Sequence, residues 1–300
     1  MAASYLRHDM TADATFSLFI RRLPNQRTFL VAAGLEDALR MLEEFSFDEQ
    51  DLEWLSAEGF PPEVIDRFAD LRFTGEVRAV PEGELVFADE PVLEVTAPLP
   101  EAQLVETMLL NQITFQTVLA TKAARCRLAA AGRATLVDFA FRRTQGIEAG
   151  MRAARAAAIA GFVGTSNVRA ARELDFPAIG TMAHSYIEAF SDERAAFTTF
   201  ARDFPDRTTF LVDTYDSLTG VENALAVVDE LDLQAPIGIR LDSGDLLGLS
   251  RATRRLLDEH GRPDVAIVAS VGLDEHEVAR LLDAGAPIDV FGVGTRIGVS

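Results

Sequence analysis

The stretch Gly180-Thr181-Met182-Ala183-His184-Ser185 carries one of only four histidines in 300 residues and follows the short apolar run Ala178-Ile179. A neutral imidazole is a competent nucleophile near neutral pH, although a lone histidine is more often structural. Asp213-Thr214-Tyr215-Asp216-Ser217 follows another apolar run, and an aspartate at that level can accept from an imidazole N–H and fix its tautomer. In Phe141-Arg142-Arg143-Thr144-Gln145-Gly146, Arg142 and Arg143 offer forked, permanently charged donors suited to phosphate or carboxylate. Taken alone, such a pair is as readily a surface ion-pairing feature. Arg240-Leu241-Asp242-Ser243-Gly244-Asp245 supplies carboxylates for ribose hydroxyls or for Mg2+ held through water; the plainer alternative is capping of a helix that starts near Leu246. Gly164-Thr165-Ser166-Asn167 is small and polar, able to donate to an anion or simply to cap a helix. Ser270-Val271-Gly272 and Gly292-Val293-Gly294-Thr295 are turns in which backbone N–H groups can approach a phosphate.

These groups share a position, each at the end of an apolar, strand-like run. The runs are Thr135–Phe139, Gly161–Val163, Ala178–Met182, Thr208–Val212, Pro236–Leu241, Val265–Ala269 and Ile288–Val293. Helical segments lie between most of them, including Ile147–Ala160, Gly220–Leu231, Leu246–His260 and Asp274–Ala284. Alternating strand and helix predicts a parallel sheet with crossover helices, whose C-terminal strand ends collect the loops in one place. Seven repeats fit an α/β barrel better than an open sheet; a regular eight-fold barrel takes about 250 residues, and this stretch is shorter, hence compact or incomplete. The final run, Gly292–Ser300, reads as a strand entering a glycine-rich loop with no closing helix.

Residues 1–99 read as an N-terminal α+β domain and residues 100–300 as a long helix followed by the barrel. In the first part, Ala14–Ile20 and Thr28–Ala33 are strand candidates and Leu35–Phe45 is an amphipathic helix. Phe47-Asp48-Glu49 and Phe60-Pro61-Pro62-Glu63 open two short helices, and Phe73–Pro98 is a small β module. Leu99–Ala131 is one long helix or a broken pair, with the domain boundary near its start.

The net charge of −19 argues against nucleic acid or an anionic membrane as partner, because both need basic surface. Any polyanionic substrate must therefore meet a local basic cluster. With 48% hydrophobic and 25% charged residues the chain buries a core. The single Cys126 excludes an internal disulfide and reads as a structural thiol in a reducing compartment. No apolar run approaches a membrane span of about 20 residues, and the N-terminus lacks a signal-peptide core, so the expectation is a cytoplasmic protein.

Asp138-Phe139-Ala140-Phe141-Arg142-Arg143-Thr144-Gln145-Gly146, the His184 and Asp213 stretches and Ile239–Asp245, in this order, resemble nicotinate phosphoribosyltransferases. The likeness extends over nearly the whole chain. It implies a homodimer, an N-terminal α/β domain and an irregular barrel of the type II phosphoribosyltransferase kind. It implies that nicotinate and phosphoribosyl pyrophosphate give nicotinate mononucleotide and pyrophosphate, with ATP hydrolysis, assisted by Mg2+, coupled through a phosphohistidine. On the family pattern His184 is that histidine and Asp213 orients it. Phe139 stacks on the pyridine ring, and Arg142 and Arg143 face substrate anions. Arg240, Asp242, Gly272, Gly292, Gly294 and Thr295 line the ribose and phosphate site, and Asp242 and Asp245 are the candidates for water-mediated Mg2+. Nicotinamide-using relatives carry an aspartate where this chain has Ser166, and a hydroxyl there suits a carboxylate substrate. Two alternatives remain: a quinolinate-type phosphoribosyltransferase, which needs neither ATP nor a phosphohistidine, and a non-catalytic ligand-binding fragment. The family has a Thr-Asp-Leu-Tyr-like segment before the point matching Met1, and its chains continue beyond the point matching Ser300, so a chain truncated at both ends is expected.

Overall fold

The computed structural model describes residues 1–24, 26–234 and 236–299, which divide into two compact units, Met1–Thr121 and Lys122–Ser300. The division falls inside the long helix rather than near its start. That helix is continuous, from Leu99 to Ala130.

The first unit contains α1 (Ala2–Arg7), β1 (Asp13–Phe19), β2 (Leu30–Val31), α2 (Leu35–Glu43), α3 (Glu49–Ala57), α4 (Pro62–Ala69), β3 (Glu76–Ala79), β4 (Leu85–Val86), β5 (Pro91–Pro98) and the start of α5 (Leu99–Ala130). Strand β5 lies between β1 and β3 in an antiparallel sheet. The buried residues of β5, including Val92, Leu93, Val95 and Ala97, join Ala102, Val105, Leu109 and Ile113 of α5 in one apolar cluster. Strand β2 is only two residues long, and hydroxyls on α5 serve the backbone around it. Val31 N–H donates to Thr121 Oγ1 at 2.9 Å and Ala33 N–H to Thr117 Oγ1 at 3.3 Å. The N-terminus of α2 is capped from a distance. Gly34 has no side chain to do it, and Glu82 Oε1 accepts from Gly34 N–H at 2.6 Å and Leu35 N–H at 3.0 Å.

The second unit begins in α5 and continues with β6 (Thr135–Asp138), α6 (Ile147–Ile159), α7 (Val168–Glu173), α8 (His184–Glu188), α9 (Glu193–Asp203), β7 (Thr208–Leu211), α10 (Ser217–Glu230), β8 (Ile237–Leu241), α11 (Leu246–Glu259), β9 (Ala266–Ser270), α12 (Glu275–Asp283), β10 (Val290–Val293) and α13 (Thr295–Gly298). Five strands form a parallel sheet in the order β6-β10-β9-β8-β7. Their near-continuous apolar runs are buried on both faces, as parallel strands require: Leu136, Phe210, Leu211, Ile239, Leu241, Ile267, Phe291 and Val293 all belong to one core cluster.

Two expected strands are not strands. The chain there joins β6 through isolated parallel bridges at Thr165, to Asp138 and to Ala178, with main-chain hydrogen bonds from Val163 to Leu136, Asp138 to Gly164, Ser166 to Asp138, Thr165 to Pro177 and Ile179 to Thr165. Gly161 at φ +84° ends the preceding helix, and Pro177 has no N–H to give. Gly164 permits the close approach: a Cβ there would lie 2.4 Å from Ile179 Cδ1. Among the described residues no backbone ladder joins residues 178–183 to β7; side chains cross that gap instead. Helix α7 follows Asn167 as a cap there would give, whereas α8 and α9 go beyond the expected helices, and α9 follows an Asp192 side chain that accepts from Ala195 N–H at 2.8 Å. The final run is also more ordered than its glycines suggest, since Thr295–Gly298 turns into the short α13; Ser300 lies outside the described residues. No helix is long and apolar enough to cross a membrane among the described residues.

Glu275, at the first turn of α12 and only 8% exposed, joins α12 to the Lys122 end of α5. Lys122 Nζ lies 2.5 Å from Oε2 and Arg125 Nε 2.8 Å from Oε1. Burial works against its ionisation, but the two cations outweigh it and hold the carboxyl at about 2, down from 4.5. Nearby Cys126 is fully buried, and burial, reinforced by the Glu275 charge, pushes its thiol up to about 12, so it is an inert packing group. Because the folded pKa of Glu275 lies below the unfolded one, its stabilisation is complete above about 4.5 and is lost as pH falls toward about 2. Glu275→Ala removes the carboxylate that Lys122 and Arg125 share and is expected to cost about 3 kcal/mol in urea unfolding at neutral pH. Glu275→Gln is expected to remove part of the acid-limb slope between those values. A loss below about 1 kcal/mol for Glu275→Ala would mark the cluster as an ordinary solvated surface pair.

Candidate active site

The parallel register sets the chemistry level across the sheet. Leu211 pairs with Arg240, Leu241 with Ala269, Ser270 with Gly292 and Val293 with Asp138, so the residues just beyond each pair emerge side by side. Asp138, the last residue of β6, is fully buried. Its Oδ1 accepts from Ala140 N–H at 2.9 Å and its Oδ2 from Thr165 Oγ1 at 2.7 Å. Burial raises its pKa, while those two donors offset part of that shift. The carboxylate thereby fixes the backbone on which Phe139 and the turn Phe141–Arg143 stand.

Arg240 is the hub. Its side chain is 14% exposed; Nη2 lies 3.1 Å from Asp242 Oδ1, Nε donates to Ser270 Oγ at 2.9 Å, and Nη1 donates to Thr181 Oγ1 at 2.7 Å. Its guanidinium carbon also sits 5.5 Å from the centroid of the Phe139 ring. Ser270 in turn donates to Asp242 Oδ1. Gly292 and Gly294 are where β10 passes this ring. A Cβ on Gly292 would lie 2.6 Å from the Phe139 ring, and one on Gly294 2.8 Å from the Phe139 carbonyl oxygen.

His184 is the first residue of α8 rather than the end of a strand. Its Nδ1 lies 3.1 Å from Thr214 Oγ1 and its Nε2 3.7 Å from Asp242 Oδ2. The expected contact with Asp213 is absent. Asp213 Oδ2 instead accepts from Asp242 N–H at 2.8 Å and Ser243 Oγ at 2.5 Å. The level of the strands explains the exchange: Asp213 lies beside Asp242 in register, and its side chain is used in holding that neighbouring turn. Asp213 Oδ1 is buried with no hydrogen-bond partner among the described residues.

The remaining expected residues lie around this hub without joining it. Arg142 and Arg143 are exposed on the turn after Phe139; the Arg143 N–H donates to the Ala140 carbonyl at 2.8 Å, and among the described residues neither guanidinium has an ion-pair or hydrogen-bond partner. Ser166 is half-buried, and its N–H donates to the Asp138 carbonyl at 2.8 Å. The helix-capping role goes to Asn167, whose side chain accepts from Ala170 N–H at 3.2 Å, which leaves the Ser166 hydroxyl free of that task. Gly272, at φ +63°, faces open space, and the preceding Val271, at φ +100°, is a β-branched residue in a strained conformation. Thr295 is exposed at the start of α13, and Asp245 is exposed at the start of α11 without capping it by a side-chain hydrogen bond. Hard oxygen donors at Asp213 Oδ1, Asp242 and Asp245 suit a Mg2+ that keeps its own waters. No group of three His, Cys, Asp or Glu side chains among the described residues could hold a metal directly.

Residues 1–114 match the sequence model of the nicotinate phosphoribosyltransferase (NAPRTase) N-terminal domain, and residues 134–298 that of the nicotinate phosphoribosyltransferase family. The chain belongs to the nicotinate phosphoribosyltransferase family. It is 49% identical over 302 residues to a nicotinate phosphoribosyltransferase of Mycobacterium tuberculosis, covering 100% of this chain and 65% of that one. It is 46% identical over 301 residues to the Bacillus subtilis nicotinate phosphoribosyltransferase, covering 99% and 61%. The chain thus spans less than two thirds of the length of these relatives. Among solved structures, human nicotinic acid phosphoribosyltransferase superposes with a TM-score of 0.88 at 31% identity, over 98% of this chain and 71% of that one. The α/β fold with its parallel sheet is therefore that of a nicotinate phosphoribosyltransferase.

Thr181 and Ser270 of the hub, and Thr214 beside His184, had no individual role on sequence grounds, though all lie inside the motifs singled out above; hydroxyls are too common in loops for these to stand out. Gly292→Ala is expected to push the Phe139 ring off its place beneath Arg240, costing about 1–3 kcal/mol in chemical denaturation. A variant within about 0.5 kcal/mol of the parent would show that the ring gives way freely.

Proposed function

We propose that the chain carries the active site of a nicotinate phosphoribosyltransferase. The pyridine nitrogen of nicotinate forms a bond to C1 of phosphoribosyl pyrophosphate, and pyrophosphate leaves with the electrons of the broken C–O bond. The observation that carries the reading is the Arg240 hub, a largely buried cation tied to Asp242, Ser270 and Thr181 with the Phe139 ring beneath it, in a chain of this family. Arg240 and the turns at Gly272, Gly292, Gly294 and Thr295 take phosphate and ribose. Phe139 offers a face to the pyridine ring. Arg142 and Arg143, exposed and with no partner to either guanidinium among the described residues, take substrate anions against a net charge of −19. The fold reading that goes with this is an irregular type II phosphoribosyltransferase barrel acting as a homodimer in the cytoplasm.

ATP hydrolysis is coupled to the transfer through phosphorylation of His184. Half-exposed, the imidazole is accessible to a nucleotide; Thr214 lies within hydrogen-bond reach of one ring nitrogen, and Asp242 faces the other at 3.7 Å. Mg2+, when bound, neutralises polyphosphate charge, and Asp242 and Asp245 hold it through water. A quinolinate-type reading has no use for a histidine so positioned.

His184→Ala is expected to abolish ATP hydrolysis and acid-labile protein phosphorylation while leaving a slow ATP-independent transfer of nicotinate; a variant that still forms the phosphoprotein removes the assignment. Ser166→Asp places a negative charge close to the bound carboxylate. Its efficiency with nicotinate is expected to fall by about tenfold or more, about 1.4 kcal/mol, and its relative preference to shift toward nicotinamide. Steady-state kinetics on both substrates check this, and an unmoved ratio means that Ser166 does not read the ring substituent.

A further inference from the structure

We infer that Glu275 is a positioning residue for the phosphate end of the substrate: with Lys122 and Arg125 it clamps the start of α12, and so holds the exposed Val271–Gly272 turn in its binding shape. The turn connects two fixed points. On one side Ser270 ends β9 in register with Gly292, and its hydroxyl accepts from Arg240 Nε at 2.9 Å and donates to Asp242 Oδ1. On the other side Leu273 is buried in the core, and the Asp274 side chain accepts from His276 N–H at 3.0 Å and Glu277 N–H at 2.9 Å. Only Val271 and Gly272 lie between, and both take positive φ, +100° and +63°. Glycine adopts such a conformation freely; a β-branched residue is strained in it and persists there only where its surroundings over-determine the backbone. A Cβ on Gly272 would meet no atom within 4 Å, so an anion can reach the main chain at this turn.

The anchor beyond the turn is an ion trio rather than an apolar contact. Lys122 Nζ lies 2.5 Å from Glu275 Oε2 and Arg125 Nε 2.8 Å from Oε1, and all three side chains are largely buried. A buried ion pair adds little stability over apolar residues of the same volume, but moving it apart leaves a charge uncompensated. An apolar side chain at the start of α12 could slide against α5. A carboxylate gripped on each of its oxygens by a separate cation cannot. The trio therefore sets the start of α12 in distance and direction, three residues along the chain from Gly272. Strain at Val271 works against that anchor, and releasing the anchor lets the turn relax.

The effect on substrate rests on the proposed function, in which the Gly272 turn takes phosphate; the rigidity of the turn does not. The experiment reads both on the whole chain. Backbone 15N relaxation at Gly272, calorimetric Kd for phosphoribosyl pyrophosphate and steady-state kinetics are measured for the parent, Glu275→Gln, Lys122→Met and Lys122→Arg. In Glu275→Gln an NH2 donor faces one of the cations, and Lys122→Met removes the other half of a pair. The Gly272 order parameter is expected near about 0.85 in the parent and below about 0.6 in these two variants. A turn that keeps the binding shape about a tenth of the time weakens apparent affinity by that fraction. Kd and KM for phosphoribosyl pyrophosphate are therefore expected to rise about tenfold in both, with kcat and the KM for nicotinate little changed. Lys122→Arg keeps the charge and is expected to keep the parental values. Urea unfolding reports which variants are folded, and Lys122→Met carries the test if Glu275→Gln is not. The inference is overturned if Gly272 stays rigid in a folded variant, if affinity for both substrates falls alike, or if Lys122→Arg behaves as Lys122→Met does. If no form of the chain transfers phosphoribosyl groups, yet the parent binds phosphoribosyl pyrophosphate about tenfold more tightly than Glu275→Gln, the positioning role stands and the transfer reading falls. If the parent transfers and Glu275→Gln matches it in every measurement, the transfer reading stands and the inference falls; absence of binding by every form removes both.

Discussion

The guanidinium of Arg240 is the contact through which the strand-end loops act as one site. It leaves β8 and reaches Asp242 on its own turn, Ser270 at the end of β9 and Thr181 on the segment before α8, while lying over Phe139 from β6. Each of these comes from a different crossover unit. A planar group with five fixed donors can satisfy several acceptors at once; an ammonium on a flexible stem cannot hold the same geometry. Because the group is largely buried, its interactions are screened little by solvent, and removing any one acceptor leaves a charge less well compensated.

Beneath that contact lies the backbone. The parallel register brings Asp138, Arg240, Ser270 and Gly292 to neighbouring levels, and the buried Asp138 carboxylate holds the β6 exit through Ala140 and Thr165. Gly292 and Gly294 let β10 approach Phe139 more closely than any side chain would allow. The site is therefore built from close main-chain approach first and from side-chain chemistry second, which is how a preorganised pocket keeps its groups in place when substrate arrives.

The acidity of the chain gives this arrangement a further sense. At a net charge of −19 the global field repels polyphosphates, so binding depends on cations that the fold leaves available. Most arginines of the second unit with short contacts are paired at the surface, as Arg169 is with Glu173 and Arg280 with Glu277. Arg142 and Arg143 stand apart from that pattern on an exposed turn next to Phe139. Local charge and global charge thus pull in opposite directions, and the local term wins at short range, where screening is weakest.

Much of this was legible in the residues. Apolar runs of strand length with amphipathic helices between them specify a parallel sheet, because burial on both faces leaves no other use for such runs. The motifs around Asp138, His184, Asp213 and Arg240 identify the family and place its chemistry at the strand ends. What the sequence could not decide is which neighbour each side chain takes. Residues 161–163 and 178–182 read as strands by composition, but they meet the sheet only through short main-chain pairing around Thr165, and His184 opens a helix. On the sequence Asp213 was the candidate for the imidazole, and the adjacent Thr214 had no role. A one-residue step along the chain turns a side chain to a different direction, and only the register of β7 against β8 sends Asp213 to the Asp242 turn and Thr214 to the ring. Residue types and their order determine what chemistry is available; partner choice is a matter of a few ångströms, set by contacts between segments that are far apart in the chain.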